Sequence, residues 1–152
     1  MKGLIKLTEH YFHLKAKWPG NRNDIGDIET ANLQTKISIP KEMDGPGIGT
    51  NPDEMLLGAA STCYIITLAA MLERSNIAKE RLDMESTAIV DVTDGVFTYK
   101  KIIHRPTIIV SNAKDLNIAR RLVVKAEQTC MISKALRGNV EIEVDYTLLA
   151  AE

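Results

Sequence analysis

Two residues in this chain have the chemistry of nucleophiles, Cys63 and Cys130, 67 positions apart. A thiolate attacks electrophilic oxygen or sulfur, and two thiols brought together close a disulfide that an external thiol reopens. The chain has only 2 cysteines, and His10, His13 and His104 stand at no recognised ligand spacing. That set falls short of the clustered ligands of a structural zinc site, so no metal is expected. No Cys-x-x-Cys is present, which counts against a general disulfide exchanger. The ordinary fate of a free cysteine is burial as a small apolar residue. Context argues otherwise here: Ser61 and Thr62 precede Cys63, Gln128 and Thr129 precede Cys130, and Cys63 lies within a long uncharged segment.

The elements that must position these thiols follow from periodicity. Residues 55–72 are 18 positions without a charge, bounded by Asp53 and Glu54 before and Glu73 and Arg74 after. The length approaches that of a membrane span. Gly58, Ser61, Thr62, Cys63 and Thr67 interrupt it with polar and small groups, and charges of both signs flank it without a positive-inside bias. It therefore reads as a helix buried on all sides. Such a helix spans about 27 Å, close to the width of the whole domain, and aromatic residues make up only 5% of the chain. Covering it calls for a second copy of the chain, which the small run Gly58-Ala59-Ala60-Ser61-Thr62 would let approach closely. A homodimer is expected.

Residues 4–18 are rich in strand formers of uneven phase, compatible with a bend or short hairpin near Thr8-Glu9. Pro19 to Asp24 is a turn, and the alternation from Ala31 to Ile39 is a half-buried strand. The loop over 40–51, with Gly45, Pro46, Gly47 and Gly49, does not match a phosphate-binding fingerprint. Leu82 to Val92 alternates as a strand, Thr93-Asp94-Gly95 is a hairpin turn, and Val96 to Val110 is the return strand. Asp115 opens a second helix carrying Cys130, which runs on or breaks briefly before Gly138. Val140 to Leu148 forms the last strand. The order β-β-α-β-β-α-β, with mostly hairpin links, describes one α+β domain over 1–152, built of antiparallel sheets and two long helices.

At 152 residues, 45% hydrophobic and 26% charged, the chain can bury a core and remain soluble. With 19 basic and 20 acidic side chains, a net charge of −1, it offers no field to attract nucleic acid or an anionic membrane. The N-terminal residues lack the apolar core of a secretory signal, so the cytoplasm is the expected compartment.

Gly49-Thr50-Asn51-Pro52-Asp53-Glu54, followed by Met55 to Cys63, resembles the first-cysteine motif of the osmotically inducible protein C and organic hydroperoxide resistance family. There a Gly-x-Asn-Pro-Glu stretch opens a buried helix with a cysteine ten residues past the acid. Ala126-Glu127-Gln128-Thr129-Cys130-Met131-Ile132-Ser133-Lys134-Ala135 is similar to the second-cysteine motif. The element order and cysteine separation extend the likeness over nearly the whole chain.

The resemblance implies an intertwined homodimer that reduces organic hydroperoxides with a cysteine pair, Cys63 attacking and Cys130 resolving. No cofactor is required; an external dithiol, lipoyl-type in some members, restores the pair. A buried thiol has a raised pKa, and a mid-helix position gives little dipole help, so an arginine is the natural activator. The family carries one in the turn after its early strands, which Arg22 matches. The acid that orients it is usually Glu; here that position is Asp53, with Glu54 next. At about 100° per residue Asp53 lies within about 80° of Cys63 on the helix, and Glu54 on the opposite face. Ten residues also rise about 15 Å. Either the first turn unwinds, the arginine spans the gap, or the acid serves the partner's site. Met131 stands where many members have Pro. Met43, Met55, Tyr64 and Met71 are available as an apolar lining, and none is assigned to the substrate. The rival reading is a non-catalytic relative that binds a small apolar ligand at the dimer interface, with both cysteines structural.

Overall fold

The computed structural model describes residues 8–152, which divide into two compact units at the Asn51–Pro52 bond. The first holds a three-stranded antiparallel sheet, β1 (Lys15–Lys17), β2 (Gly26–Glu29) and β3 (Gln34–Ile37), in that order. Of the strand expected over 4–18, residues 4–7 lie outside the described residues, and only Lys15–Lys17 is strand. The strand expected from Ala31 to Ile39 starts later, because Thr30 captures the chain ahead of it. Its N–H donates to Leu33 O at 2.7 Å and its Oγ1 accepts from Leu33 N–H at 3.0 Å. That side-chain turn leaves residues 31–33 as the hairpin connection and makes Gly26–Glu29 an additional strand. The glycine loop returns alongside β3, with Thr50 N–H donating to Lys36 O and Ser38 N–H to Thr50 O. Gly49 permits the approach: its φ is +69°, and a Cβ there would stand 2.1 Å from Lys36 O.

The second unit opens at Pro52, favoured in a first helical turn because its missing N–H would be unpaired anyway. Helix α1 (Pro52–Arg74) runs without interruption to a turn at Asn76, whose φ is +54°. It leads into a long hairpin, β4 (Lys79–Thr93) and β5 (Val96–Val110). Asp94 and Gly95 both take positive φ, 51° and 77°, as a two-residue type I′ turn requires. Two helices follow, α2 (Leu116–Thr129) and α3 (Met131–Leu136), then β6 (Glu141–Val144) and β7 (Thr147–Ala150).

The expectation of antiparallel sheets holds for β1–β3 and for β4–β5. It is corrected at the C-terminus, where both β6 and β7 pair parallel with β5. The helical segment carries the chain back across the sheet, so its return direction is parallel. The last strand is also split. Lys101–His104 pair with Glu141–Val144, and Thr107–Val110 with Thr147–Ala150, in one continuous register interrupted opposite Arg105 and Pro106. Pro106 has no N–H to donate and sits at that interruption.

The core lies between α1, α2 and the sheet. Tyr64, Leu68 and Leu72 of α1 pack with Ala119, Val123, Ala126 and Cys130 and with Ile108 and Val110 of β5. Helix α1 is long and apolar enough to cross a membrane by length and composition, yet the burial of these residues against α2 and β5 makes it a core helix. Within one copy Ala60, Tyr64, Leu68 and Leu72 form a single buried stripe, and Ile66 on another face is 67% exposed. Four-residue spacing puts those buried groups on one line, so one chain covers one line.

His104 sits inside this core, fully buried, stacked on Tyr64 with ring centroids 5.0 Å apart. Its Nδ1 lies 2.7 Å from Ser86 Oγ, and burial pulls its pKa down to about 4. As pH falls below about 6.5, the unfolded chain takes a proton that folded His104 refuses until about 4. Stability from this group is therefore intact at neutral pH and lost across that window, by at most about 1.4 kcal/mol per pH unit. Urea midpoints at pH 7, 5.5 and 4.5 should decline accordingly. His104→Phe, which keeps a ring and cannot titrate, should flatten that part of the slope.

Candidate active site

The two cysteines come together although 67 residues separate them in sequence. Cys63 projects from α1 half-buried, and Cys130 is 1% exposed between α2 and α3. Their side chains are hydrogen-bonded to each other.

A backbone break at Cys130 builds this meeting point. Helix α2 makes its last bond from Cys130 N–H to Ala126 O at 2.9 Å, and α3 makes its first from Lys134 N–H to Cys130 O at 3.0 Å. Between them Cys130 adopts φ −56° and ψ 125°, outside the helical region. The first N–H groups of a helix have no carbonyl partner within it. Two of those at the start of α3, Met131 and Ile132, donate to the Cys63 sulfur instead. Burial pushes the Cys63 thiol up, but hydrogen bonds from Cys130, the Ile132 and Met131 backbone and Thr67 outweigh it and hold the thiol below its ordinary value. Cys130 goes the other way: burial raises it, its hydrogen bond with Cys63 and the charge there raise it further, and Ser133 only partly opposes them. The pair is thus polarised, one sulfur favoured as thiolate and the other kept as the hydrogen-bond donor.

Mid-helix placement on α1 does leave Cys63 remote from its own helix N-terminus. The missing stabilisation comes from a different helix, through backbone groups that carry no side-chain signature. The break itself has no warning either. Buried positions Ala119, Val123, Ala126, Cys130 and Ser133 keep an unbroken 3–4 helical spacing straight through it, and neither Pro nor Gly marks it. Met131, 70% exposed, opens α3 without proline.

The other expected site residues are placed as follows. Arg22 lies in the turn after β1. Its guanidinium donates to Met43 O at 2.8 Å, Asp44 O at 3.4 Å and Asn23 Oδ1 at 2.8 Å, which ties it to the glycine loop of its own unit. Asp53 and Glu54 occupy the first turn of α1, where negative charge is favourable. That turn is helical, not unwound, so about 15 Å of helical rise separates Asp53 from Cys63. Tyr99 donates to Asp53 O at 3.1 Å; burial and the Asp53 charge both push its phenol up. Tyr64 serves the core, its hydroxyl donating to Val123 O at 3.1 Å. His10 and His13 are exposed. Sequence reasoning overlooked Thr67 and the ion pair between Arg137 and Glu127, 2.9 Å apart across the Cys130 break.

The comparisons with known proteins bear on the family and the fold. The OsmC-like protein family matches residues 45–145, a span containing both cysteines. The uncharacterized protein YmaD of Bacillus subtilis is 64% identical over 145 residues, covering 93% of this chain and 97% of that protein. Organic hydroperoxide resistance protein-like 2 of Staphylococcus epidermidis is 32% identical over 114 residues, covering 73% of this chain and 78% of that protein. Among solved structures, an organic hydroperoxide resistance protein OsmC from Legionella pneumophila superposes with a TM-score of 0.73 at 25% identity, covering 93% of this chain and 99% of that one. On the extent of the family match and of the shared fold, the chain belongs to the OsmC-like protein family.

Proposed function

We propose that the protein is a cytoplasmic, homodimeric thiol peroxidase that reduces organic hydroperoxides to alcohols. The observation that carries this reading is the opposed polarisation of Cys63 and Cys130, with four hydrogen-bond donors on the first sulfur and the second among them. The Cys63 thiolate attacks the terminal peroxide oxygen; the O–O bond breaks, the alkoxide takes a proton and leaves as alcohol, and Cys63 becomes a sulfenic acid. Cys130 then attacks that sulfur, water leaves, and a disulfide joins the pair. An external dithiol, which in some family members is of lipoyl type, reduces the disulfide by exchange and is itself oxidised.

Arg22 and Asp53, with Glu54 beside it, take the activating roles that the family resemblance gives them: the arginine supports the thiolate and the departing alkoxide, and the carboxylate orients the arginine. The second copy of the chain is supported by apolar surface that one copy leaves open. Ile66 on α1 and Val92, Val96 and Phe97 at the tip of the β4–β5 hairpin are all exposed. A Cβ at Gly58 would meet nothing within 4 Å, which leaves room at that end of α1 for the close approach that the small-residue run allows.

The test uses fully reduced protein and one equivalent of an alkyl hydroperoxide, quenched in acid. Rapid loss of two hydrogens from the intact mass, together with both free thiols and no added oxygen, is the expected result. Persistence of both thiols and of the peroxide would overturn the reading in favour of structural cysteines.

A further inference from the structure

The break at Cys130 aims the Met131 and Ile132 N–H groups, and neither Pro nor Gly sets its angle. What spans it is Arg137. Helix α2 carries no basic residue in its last turn, although a helix C-terminus favours a cation and leaves its final carbonyls unpaired. Arg137 supplies both from the far end of α3. Its guanidinium pairs with the Glu127 carboxylate at 2.9 Å and reaches the Glu127 and Gln128 carbonyls, each at 3.5 Å. Its own backbone N–H closes α3 by donating to Ser133 O at 3.0 Å. Residues 127–137 therefore form a loop closed by one side chain, with Cys130 and both N–H donors inside it. An ion pair of which one partner is half exposed adds little to global stability. Its effect falls on the angle between two helices that no other described ion pair joins.

We propose that Arg137 is a positioning residue for Cys63: by clamping the last turn of α2 to the end of α3, it holds the break at Cys130 that directs two backbone N–H groups onto the attacking sulfur. This rests on Cys63 being the attacking thiol. Releasing the clamp lets α3 swing, and the sulfur loses donors while remaining half-buried.

The experiment follows alkylation of Cys63 by iodoacetamide against pH in the reduced full-length protein, read from the mass of its peptide. Arg137→Ala should move the midpoint upward and slow alkylation at pH 7 by about tenfold, the change in thiolate fraction that one pH unit represents. Arg137→Lys, which keeps a cation for Glu127 but not the fork that reaches the carbonyls, should fall between the two. Arg137 could instead act only by cancelling the Glu127 charge near the thiols. The double variant Glu127→Gln/Arg137→Met removes both charges at nearly constant volume and separates these roles. Clamping predicts a midpoint still above that of the wild type; a wild-type profile overturns the proposal. So does an unchanged profile in folded Arg137→Ala, and if that variant fails to fold the double variant decides alone. Because the readout is thiol ionisation, a wild type that consumes no peroxide would sink the peroxidase reading and leave this shift measurable.

Discussion

Cys63→Ser is expected to reduce hydroperoxide consumption to the uncatalysed background, a loss of at least about a thousandfold. The four donors around Cys63 lower a thiol whose ordinary value is 9.0. A hydroxyl begins many units higher, so the same donors leave it protonated. Serine also forms no stable counterpart of the sulfenic acid, so even the first equivalent of peroxide should survive. The fold should not change with it. Cys63 is half-buried beside the core rather than in it, and the replacement is nearly isosteric and able to accept the same backbone hydrogen bonds. Thermal unfolding and native mass should match the wild type while turnover vanishes. Undiminished turnover in that variant would remove Cys63 from the chemistry altogether.

The elements carrying the two thiols were legible in the sequence because each has a strong periodic or turn signal. The uncharged run became α1, Asp94-Gly95 became the tight turn of the β4–β5 hairpin, and the alternation of Leu82 to Val92 became β4. The N-terminal strands were less legible, since the turn at Thr30 depends on a side-chain oxygen competing with the sheet ladder. Parallel pairing of β6 and β7 was hidden for a different reason. Alternation reports that a strand has one buried face and says nothing of its direction, which the helical crossover decides.

Within the site, the two thiols were visible in the sequence and the backbone donors were not. Met131 and Ile132 help through their N–H groups, which every residue but proline has, so their types carry no trace of the role. Arg137 and Glu127 are a charged pair ten positions apart, close only because the chain turns between them at a point that keeps helical periodicity. Asp53 illustrates the converse. Its angle on the helix suits Cys63, and an unbroken α1 keeps it about 15 Å along the axis. Angular proximity read from sequence is only half of a distance.

The polarised pair makes a second substitution informative, because the proposed reaction gives Cys130 two duties that fail at different times. Cys130→Ala removes a hydrogen-bond donor from the Cys63 sulfur and the thiol that would resolve a sulfenic acid. Loss of one hydrogen bond to a charged group should slow the first attack by about tenfold, but not abolish it, since Met131, Ile132 and Thr67 still donate. The variant should therefore consume a first equivalent of peroxide, unlike Cys63→Ser. Without a resolving thiol the sulfenic acid then persists, and a second equivalent carries it to the sulfinic acid, which dithiols do not reverse. Intact mass in the absence of reductant should show a gain of one oxygen, then two, where the wild type loses two hydrogens. The cost to folding is small, about 1 kcal/mol for a deleted buried sulfur, so an inactive but folded variant remains interpretable. Were wild type and variant to gain oxygen at the same peroxide equivalents, Cys130 would not be the resolving thiol. A disulfide-linked species of doubled mass would mean instead that Cys63 finds a thiol on a second chain.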